Sequence, residues 1–163
     1  MTMAADALYT LAARVGERLK RDGLMLATAE SCTGGWVAQA VTSVSGSSDW
    51  FDRGFVTYSN DAKCDMLGVS AQTLAARGAV SEETAREMAG GALGRSRASA
   101  ALAITGVAGP TGGTPDKPVG MVCFAWALRG RPVESETRRF EGDRKAVRRQ
   151  SVQHALQGLL DRL

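Results

Sequence analysis

A short polar turn after an apolar run is the first place in this sequence that could carry out chemistry. The turn reads Glu30-Ser31-Cys32-Thr33-Gly34-Gly35 and closely follows the apolar run 24–28. A serine at the carboxyl end of a buried strand presents its hydroxyl where open α/β sheets bind ligands. The last three N–H groups of the turn, at the start of a helix, can bind a phosphate or the oxyanion of acyl transfer. From the turn alone, a nucleophilic site and a helix cap formed by Ser31 or Thr33 both remain open.

A serine nucleophile needs a general base, and the sequence offers two candidates. The single histidine, His154, is predicted in the middle of a helix with no evident acidic partner, so we expect it to be structural or on the surface. Lys63 is the better candidate, because burial or a neighbouring charge can lower the pKa of a lysine and let it act as a base. Tyr58 lies five residues earlier and could orient the lysine or relay the proton. From these residues alone, a surface lysine and a core tyrosine remain the alternative.

A second polar loop, rich in glycine, spans residues 105–116 and follows a predicted buried strand, as the first turn does. Two loops at the ends of neighbouring strands could form facing walls of one pocket. The loop is not a Walker loop, because it lacks the Gly-Lys-Ser/Thr ending. Loops of this length without secondary structure are usually functional or disordered, and we favour function here.

The hydrophobic pattern predicts the elements that must position these loops. Helices are predicted over residues 4–21, 33–42, 60–67, 70–78, 81–93 and 143–162. Strands are predicted over residues 24–28, 51–59, 99–104, 119–128 and 133–140. Helices alternate with strands early, and the last two strands form a hairpin. This order predicts a single domain over residues 1–163, a three-layer α/β/α sandwich with a mixed, mostly parallel sheet.

Composition excludes several classes of protein and site. The three cysteines are far apart and form no CxxC pair, and with only one histidine we expect no disulfide framework, zinc site or other metal centre. No apolar stretch approaches the roughly 18 residues that span a membrane. Nothing resembles a signal peptide, so we expect a cytoplasmic protein.

The net charge of +3 is mild, and its basic excess gathers in residues 129–149, which hold eight Arg or Lys against four Asp or Glu. Nucleic-acid binding is one interpretation of this segment. A solvated face with a few anion contacts is favoured, because no aromatic residues alternate with the basic ones as stacking platforms.

Several blocks of the sequence together resemble the signature motifs of one family, the CinA C-terminal domain family. The blocks are Ala29–Gly35, Tyr58–Lys63, Gly78–Ser81, Ile104–Gly113 and Lys117–Gly120. They occur in the family's order and cover nearly the whole chain, which makes the set far more specific than any single block.

The resemblance implies an amidohydrolase that converts nicotinamide mononucleotide and water to nicotinate mononucleotide and ammonia in pyridine nucleotide recycling, without a cofactor. The chain resembles the stand-alone form of the family rather than its longer members. We expect Ser31 to be the nucleophile and Lys63, aided by Tyr58, to be the base. The expected substrate-binding residues are Glu30, Thr33, Gly34, Gly35, Thr105, Gly106, Gly112, Gly113, Arg144 and Arg148.

Three further points remain expectations of the sequence. The substrate phosphate is assigned either to Arg144 and Arg148 or to the Gly112-Gly113 loop, and the N–H groups of Thr33 and Gly34 are expected to stabilise the oxyanion. Family members commonly associate, so we expect a homodimer. The chief alternative function is a non-enzymatic module of the same fold that binds a nucleotide or a protein.

Overall fold

The computed structural model of the chain describes the backbone from residue 3 and the side chains from residue 7 onward. Its α-helices are α1 Met3–Arg21, α2 Trp36–Thr42, α3 Asn60–Leu67, α4 Ala71–Arg77, α5 Glu82–Gly94 and α6 Arg144–Arg162. Its strands are β1 Leu26–Glu30, β2 Phe51–Val56, β3 Ala100–Gly106, β4 Met121–Leu128 and β5 Glu134–Arg139. Residues 1 and 2 of the predicted domain lie outside the described residues. None of the described helices is long and apolar enough to cross a membrane.

The five strands form one sheet in the order β2-β1-β3-β4-β5. Strand β1 is parallel to both β2 and β3, whereas β4 is antiparallel to β3 and β5 is antiparallel to β4. Four of the five strands therefore run in one direction and only β4 runs against them. This confirms the predicted mixed, mostly parallel sheet.

Helices cover both faces of the sheet, which gives the predicted three layers. One face packs against α1, α2 and α6 through large side chains such as Leu102, Phe124 and Trp126. The other face, against α5, is built almost entirely of alanine. Its buried members include Ala27, Ala29, Ala101, Ala103, Ala125 and Ala127. Small side chains let α5 lie close to the sheet, and α3 and α4 pack in turn on α5.

Helix α3 packs on α5 at the edge of this alanine face, and the contact is close. A Cβ atom at Gly91 of α5 would lie 1.9 Å from the carbonyl oxygen of Leu67, the last residue of α3. Only glycine permits this approach. The packing fixes the position of α3, which carries Lys63.

Two boundaries differ from the sequence prediction near the first turn. Strand β1 spans 26–30 rather than 24–28, so Ser31 is the first residue after the strand. Helix α2 begins at Trp36 rather than residue 33, because Gly34 and Gly35 have φ angles of 60° and 103°. These left-handed conformations, which glycine tolerates, cannot belong to a right-handed helix.

Candidate active site

Ser31 and Lys63 meet in the interior of the molecule. Strand β1 delivers Ser31, whose N–H donates to the carbonyl of Ile104 on the neighbouring strand β3 at 3.0 Å. Helix α3 is capped by Ser59, whose hydroxyl accepts from the N–H of Ala62, and this fixes the first turn that carries Lys63. The Nζ atom of Lys63 lies 3.0 Å from the Oγ atom of Ser31. Ser31 is 8% exposed and Lys63 only 1%, so the pair is shielded from bulk water.

The surroundings of the Lys63 amine suit a general base. Its Nζ atom donates to the carbonyl of Thr57 at 2.9 Å and to that of Tyr58 at 3.4 Å. No carboxylate of the described residues pairs with it. Burial lowers the pKa of Lys63 from its ordinary value of 10.5 and outweighs the opposing influence of the nearby cysteine side chains. A neutral amine has two N–H donors for the two carbonyls and one lone pair for the hydroxyl of Ser31.

The carboxylate of Glu30 organises the turn from inside. It accepts from the hydroxyl of Thr33 at 2.6 Å and from the N–H groups of Val37 at 2.9 Å and Ala38 at 3.1 Å. Glu30 is 1% exposed, and both of its oxygens are engaged at the start of α2. Both side chains are therefore engaged in holding the turn together, and the expected contact of Glu30 and Thr33 with substrate stays a prediction.

The backbone donors of the turn also differ from expectation at one position. The N–H of Gly34 donates to the carbonyl of Ser31 at 3.0 Å and closes the turn. In the described part of the chain, the N–H groups of Cys32, Thr33 and Gly35 donate to no backbone carbonyl. These three N–H groups, unlike that of Gly34, are left without an acceptor in the turn, and the expected binding of an oxyanion by the N–H groups of Thr33 and Gly34 stays a prediction.

Cys32 lies next to Ser31, and its chemistry is decided by burial. Burial raises the pKa of the Cys32 thiol to about 12. The thiol is therefore protonated at neutral pH, and the thiolate that acts as a nucleophile is scarce. Of the two adjacent residues, Ser31 with its amine partner is the better nucleophile.

The second loop is tied to the rest of the domain by its first residues. Thr105 is buried, and its hydroxyl donates to the carbonyl of Ala79 at 2.8 Å. A Cβ atom at Gly106 would lie 2.8 Å from the carbonyl of Met121, so glycine allows the return strand to pass closely. Thr105 and Gly106 thus shape the loop next to Ser31, whereas Gly112 and Gly113 lie in its exposed part.

A cavity of about 700 Å³ opens beside the first turn. Its lining residues come from α2, from the second loop and the segment that follows it, and from the start of α6 with the two residues before it. They are Trp36, Ala108, Pro110, Val119, Gly142, Asp143, Arg144, Lys145 and Arg148. Three cations and one carboxylate give the cavity an excess of positive charge. Ser31 is not part of this lining, although the turn that carries it contacts Arg148.

The two predicted arginines both line the cavity, and one of them, Arg144, contacts Tyr58. The Nη1 and Nη2 atoms of Arg144 donate to the carbonyl of Gly109 at 2.9 Å and to the hydroxyl of Tyr58 at 3.1 Å. Tyr58 is 61% exposed, and only its carbonyl reaches Lys63. The Tyr58 hydroxyl thus contacts Arg144 and not Lys63, and its expected part in orienting the lysine or relaying the proton stays a prediction. Gly112 and Gly113 do not line the cavity.

His154 is engaged elsewhere, on the buried side of α6. Its ring hydrogen-bonds to Glu136 of β5 and packs 4.6 Å from the ring of Phe124. The acidic partner lies 18 residues away on a strand, which is why the sequence did not reveal it. Trp36 and Lys145 were also missed, although the cluster of basic residues at the start of α6 could have pointed to Lys145. Within the described residues, no group of three or more His, Cys, Asp or Glu is placed to hold a metal ion.

The family model described as CinA C-terminal domain matches residues 8–163 of the chain. The chain belongs to the CinA C-terminal domain family. This confirms the family predicted from the motifs.

The relatives of this CinA domain share both sequence and fold with it. Nicotinamide-nucleotide amidohydrolase PncC of Escherichia coli K12 is 56% identical over 160 residues, covering 96% of this chain and 95% of that protein. The enzyme of the same name from Pseudomonas putida is 54% identical over 155 residues, covering 95% and 96%. The crystal structure of the competence/damage inducible protein CihA from Agrobacterium tumefaciens superposes with a TM-score of 0.93 at 49% identity, covering 95% of this chain and 94% of that one. The predicted enzyme class, an amidohydrolase, is confirmed.

Proposed function

We propose that this CinA domain deamidates nicotinamide mononucleotide to nicotinate mononucleotide and ammonia through Ser31. The observation that carries the proposal is the buried contact of 3.0 Å between the Ser31 hydroxyl and the Lys63 amine. A serine hydroxyl is a weak nucleophile until an adjacent base takes its proton. The names of the enzymes that are 54–56% identical to this chain support the substrate.

In the first step, the Oγ atom of Ser31 attacks the carboxamide carbon while its proton moves to the neutral amine of Lys63. The electron pair of the carbonyl moves to its oxygen, which becomes an oxyanion. Unpaired N–H groups of the turn, at Cys32, Thr33 or Gly35, supply donors for that oxyanion. The carbonyls of Thr57 and Tyr58 stabilise the ammonium that Lys63 has become.

In the second step, the tetrahedral intermediate collapses and its C–N bond breaks. The ammonium of Lys63 returns its proton to the leaving nitrogen, which departs as ammonia and leaves an ester on Ser31. Water then attacks the ester carbon and gives a proton to Lys63. Breaking the bond to Ser31 releases the product as a carboxylic acid, and Lys63 returns the proton to the Ser31 oxygen. The acid then loses its remaining proton to solvent and leaves as the carboxylate. These steps need no cofactor.

The cavity next to the turn is the favoured site for the ribose phosphate of the substrate. Its volume of about 700 Å³ is ample for a mononucleotide. Arg144 and Lys145 stand at the start of α6, where the helix dipole also favours an anion. The Gly112-Gly113 loop, the other candidate from the sequence, lies outside the cavity lining.

Replacing Ser31 with alanine tests the nucleophile. We expect ammonia release, followed with an enzyme-coupled assay, to fall by about 10⁴-fold or more. The fold should persist, because Lys63 keeps both of its carbonyl partners. Ser45→Ala, at an exposed loop serine, is the matched control and should retain wild-type turnover. Turnover by Ser31→Ala within tenfold of the wild type would refute the assignment.

One observation favours the alternative of a non-enzymatic binding module. The cavity is lined without Ser31, so a nucleotide could be bound there and not be hydrolysed. Wild-type protein that binds nicotinamide mononucleotide in calorimetry but releases no ammonia would establish this alternative. Homodimer formation and a cytoplasmic location stay predictions, and sedimentation of the pure protein tests the first.

A further inference from the structure

Arg148 makes an unusual pair of contacts with the catalytic turn. Its Nε atom donates to the carbonyl of Cys32 at 3.0 Å and its Nη2 atom to the carbonyl of Thr33 at 3.1 Å. These are consecutive carbonyls, 116 and 115 residues away in sequence. The guanidinium also lies 5.5 Å from the ring centroid of Trp36, which limits its freedom to move. The planar fork of an arginine suits two fixed acceptors of this kind.

Each carbonyl shares a peptide group with the N–H of the next residue. In a trans peptide the N–H points opposite to the C=O, so the N–H of Thr33 points away from Arg148. A hydrogen bond from a cation to the carbonyl polarises the peptide and makes its N–H a stronger donor. The second contact acts in the same way on the N–H of Gly34, which closes the turn onto Ser31.

The N–H of Thr33 is the donor that this arrangement leaves without an acceptor. Thr33 is fully buried, yet its N–H has no partner in the part of the chain that the structure describes. Buried backbone N–H groups without a partner are rare, because an unpaired donor costs free energy. An oxyanion that forms on the carbon attacked by Ser31, two residues away, would supply the missing acceptor.

We propose that Arg148 is a positioning residue, which aims and polarises the Thr33 N–H as an oxyanion donor and does not hold the substrate phosphate. The inference rests on the proposed function. It separates the two arginines that the sequence treated alike. Arg144 is exposed and contacts a loop carbonyl and Tyr58, whereas Arg148 is half-buried and contacts the turn itself.

The test compares Arg148→Met and Arg148→Lys with the control Arg149→Met. Arg149 is the next residue of α6 and makes no side-chain hydrogen bond or ion pair with the described residues. For each variant we would measure kcat and KM for nicotinamide mononucleotide from ammonia release. Calorimetry would give the Kd of the product nicotinate mononucleotide, which carries the same phosphate.

Loss of positioning should reduce kcat without reducing affinity. Removing one oxyanion donor costs about 10²- to 10³-fold in kcat, so misplacing one should cost about 10- to 100-fold. We expect that loss in Arg148→Met, with KM and the product Kd within about twofold of the wild type. Arg148→Lys should show a smaller fall in kcat, because its ammonium can still donate to a carbonyl of the turn but cannot hold both carbonyls as the guanidinium does. Arg149→Met should match the wild type.

A loss of affinity in place of a loss of kcat would overturn the inference. A tenfold or greater rise in KM and in the product Kd with an unchanged kcat would make Arg148 a phosphate ligand. An unchanged kcat with unchanged affinity would also refute it. If circular dichroism shows that Arg148→Met does not fold, Arg148→Lys carries the same test. If the wild type binds the product but releases no ammonia, the proposed function fails and this inference falls with it.

Discussion

Replacing Lys63 with methionine tests the base directly, and its consequences can be worked out from the contacts. Methionine is unbranched and apolar, so it can occupy a site that is 1% exposed. The change removes the only side-chain proton acceptor that touches the Ser31 hydroxyl among the described residues. General base catalysis contributes about 10²- to 10⁴-fold, so we expect kcat to fall by that factor, or by about 3–5 kcal/mol in the barrier.

The same substitution has a calculable effect on stability. It leaves the buried carbonyl of Thr57 without its partner at 2.9 Å, at a cost of about 1–3 kcal/mol. Removing an amine whose charged form is disfavoured by burial opposes this cost. We therefore expect a folded variant whose melting temperature differs from the wild type by only a few degrees.

The lowered pKa of Lys63 fixes the sign of the pH dependence of kcat and of the pH dependence of stability. Only the neutral amine accepts a proton, so wild-type kcat should rise with pH through the pKa of Lys63 in the complex and then level off. Between the folded pKa and the ordinary value of 10.5, the unfolded chain binds more protons than the native one. Stability from this group therefore rises with pH across that window, and burial of the ammonium is destabilising below it. Lys63→Met should lose both dependences.

The assay is ammonia release from nicotinamide mononucleotide, followed from neutral to alkaline pH, with thermal melts over the same range. Lys20→Met, at a lysine whose side chain is 66% exposed, is the matched control and should keep the wild-type profile. A Lys63→Met variant with wild-type kcat and an unchanged pH profile would exclude Lys63 as the base.

Two further substitutions test the turn. Glu30→Gln keeps the shape of the side chain but turns one acceptor oxygen into a donor. A buried N–H at the start of α2 then loses its partner, at a cost of about 1–3 kcal/mol. We expect a lower melting temperature and a lower kcat, whereas the control Glu17→Gln, at an exposed residue, should change neither. Gly34→Ala must hold alanine at φ 60°, which costs about 1–2 kcal/mol, and should lower kcat by shifting the turn. Gly90→Ala, at a helical glycine with open space around its Cβ position, should instead be neutral or stabilising, and the reasoning on the turn is wrong if Gly34→Ala behaves in the same way.

The sequence predicted the sheet and its layers because these depend on local patterns, whereas the expectation that Ser31 and Lys63 act together came from the resemblance to the family. Buried strands read as short apolar runs, and a polar turn after such a run must lie at the edge of the sheet. The motifs then placed the lysine on the following strand–helix unit. The structure brings Ser31 and Lys63 together at 3.0 Å.

The sequence could not reveal how the turn is held. The role of Glu30 follows from the left-handed glycines, which delay α2 and direct its first N–H groups at the carboxylate. The hydrogen bonds from Arg148 to the turn depend on how α6 packs against the sheet, and α6 lies more than a hundred residues later in the chain. The contact of the Tyr58 hydroxyl also depends on this packing, because its partner Arg144 belongs to the same helix. Tertiary contacts of this kind leave no periodic signal in the sequence.

The proposed mechanism requires Ser31 to form a covalent ester with the substrate, and mass spectrometry of enzyme acid-quenched during turnover can detect this ester. We predict that a peptide containing Ser31 carries the mass of the nicotinate mononucleotide acyl group, and that no adduct forms in Ser31→Ala. Steady ammonia release without an adduct at Ser31, or with the adduct on another residue such as Cys32, would exclude Ser31 as the nucleophile.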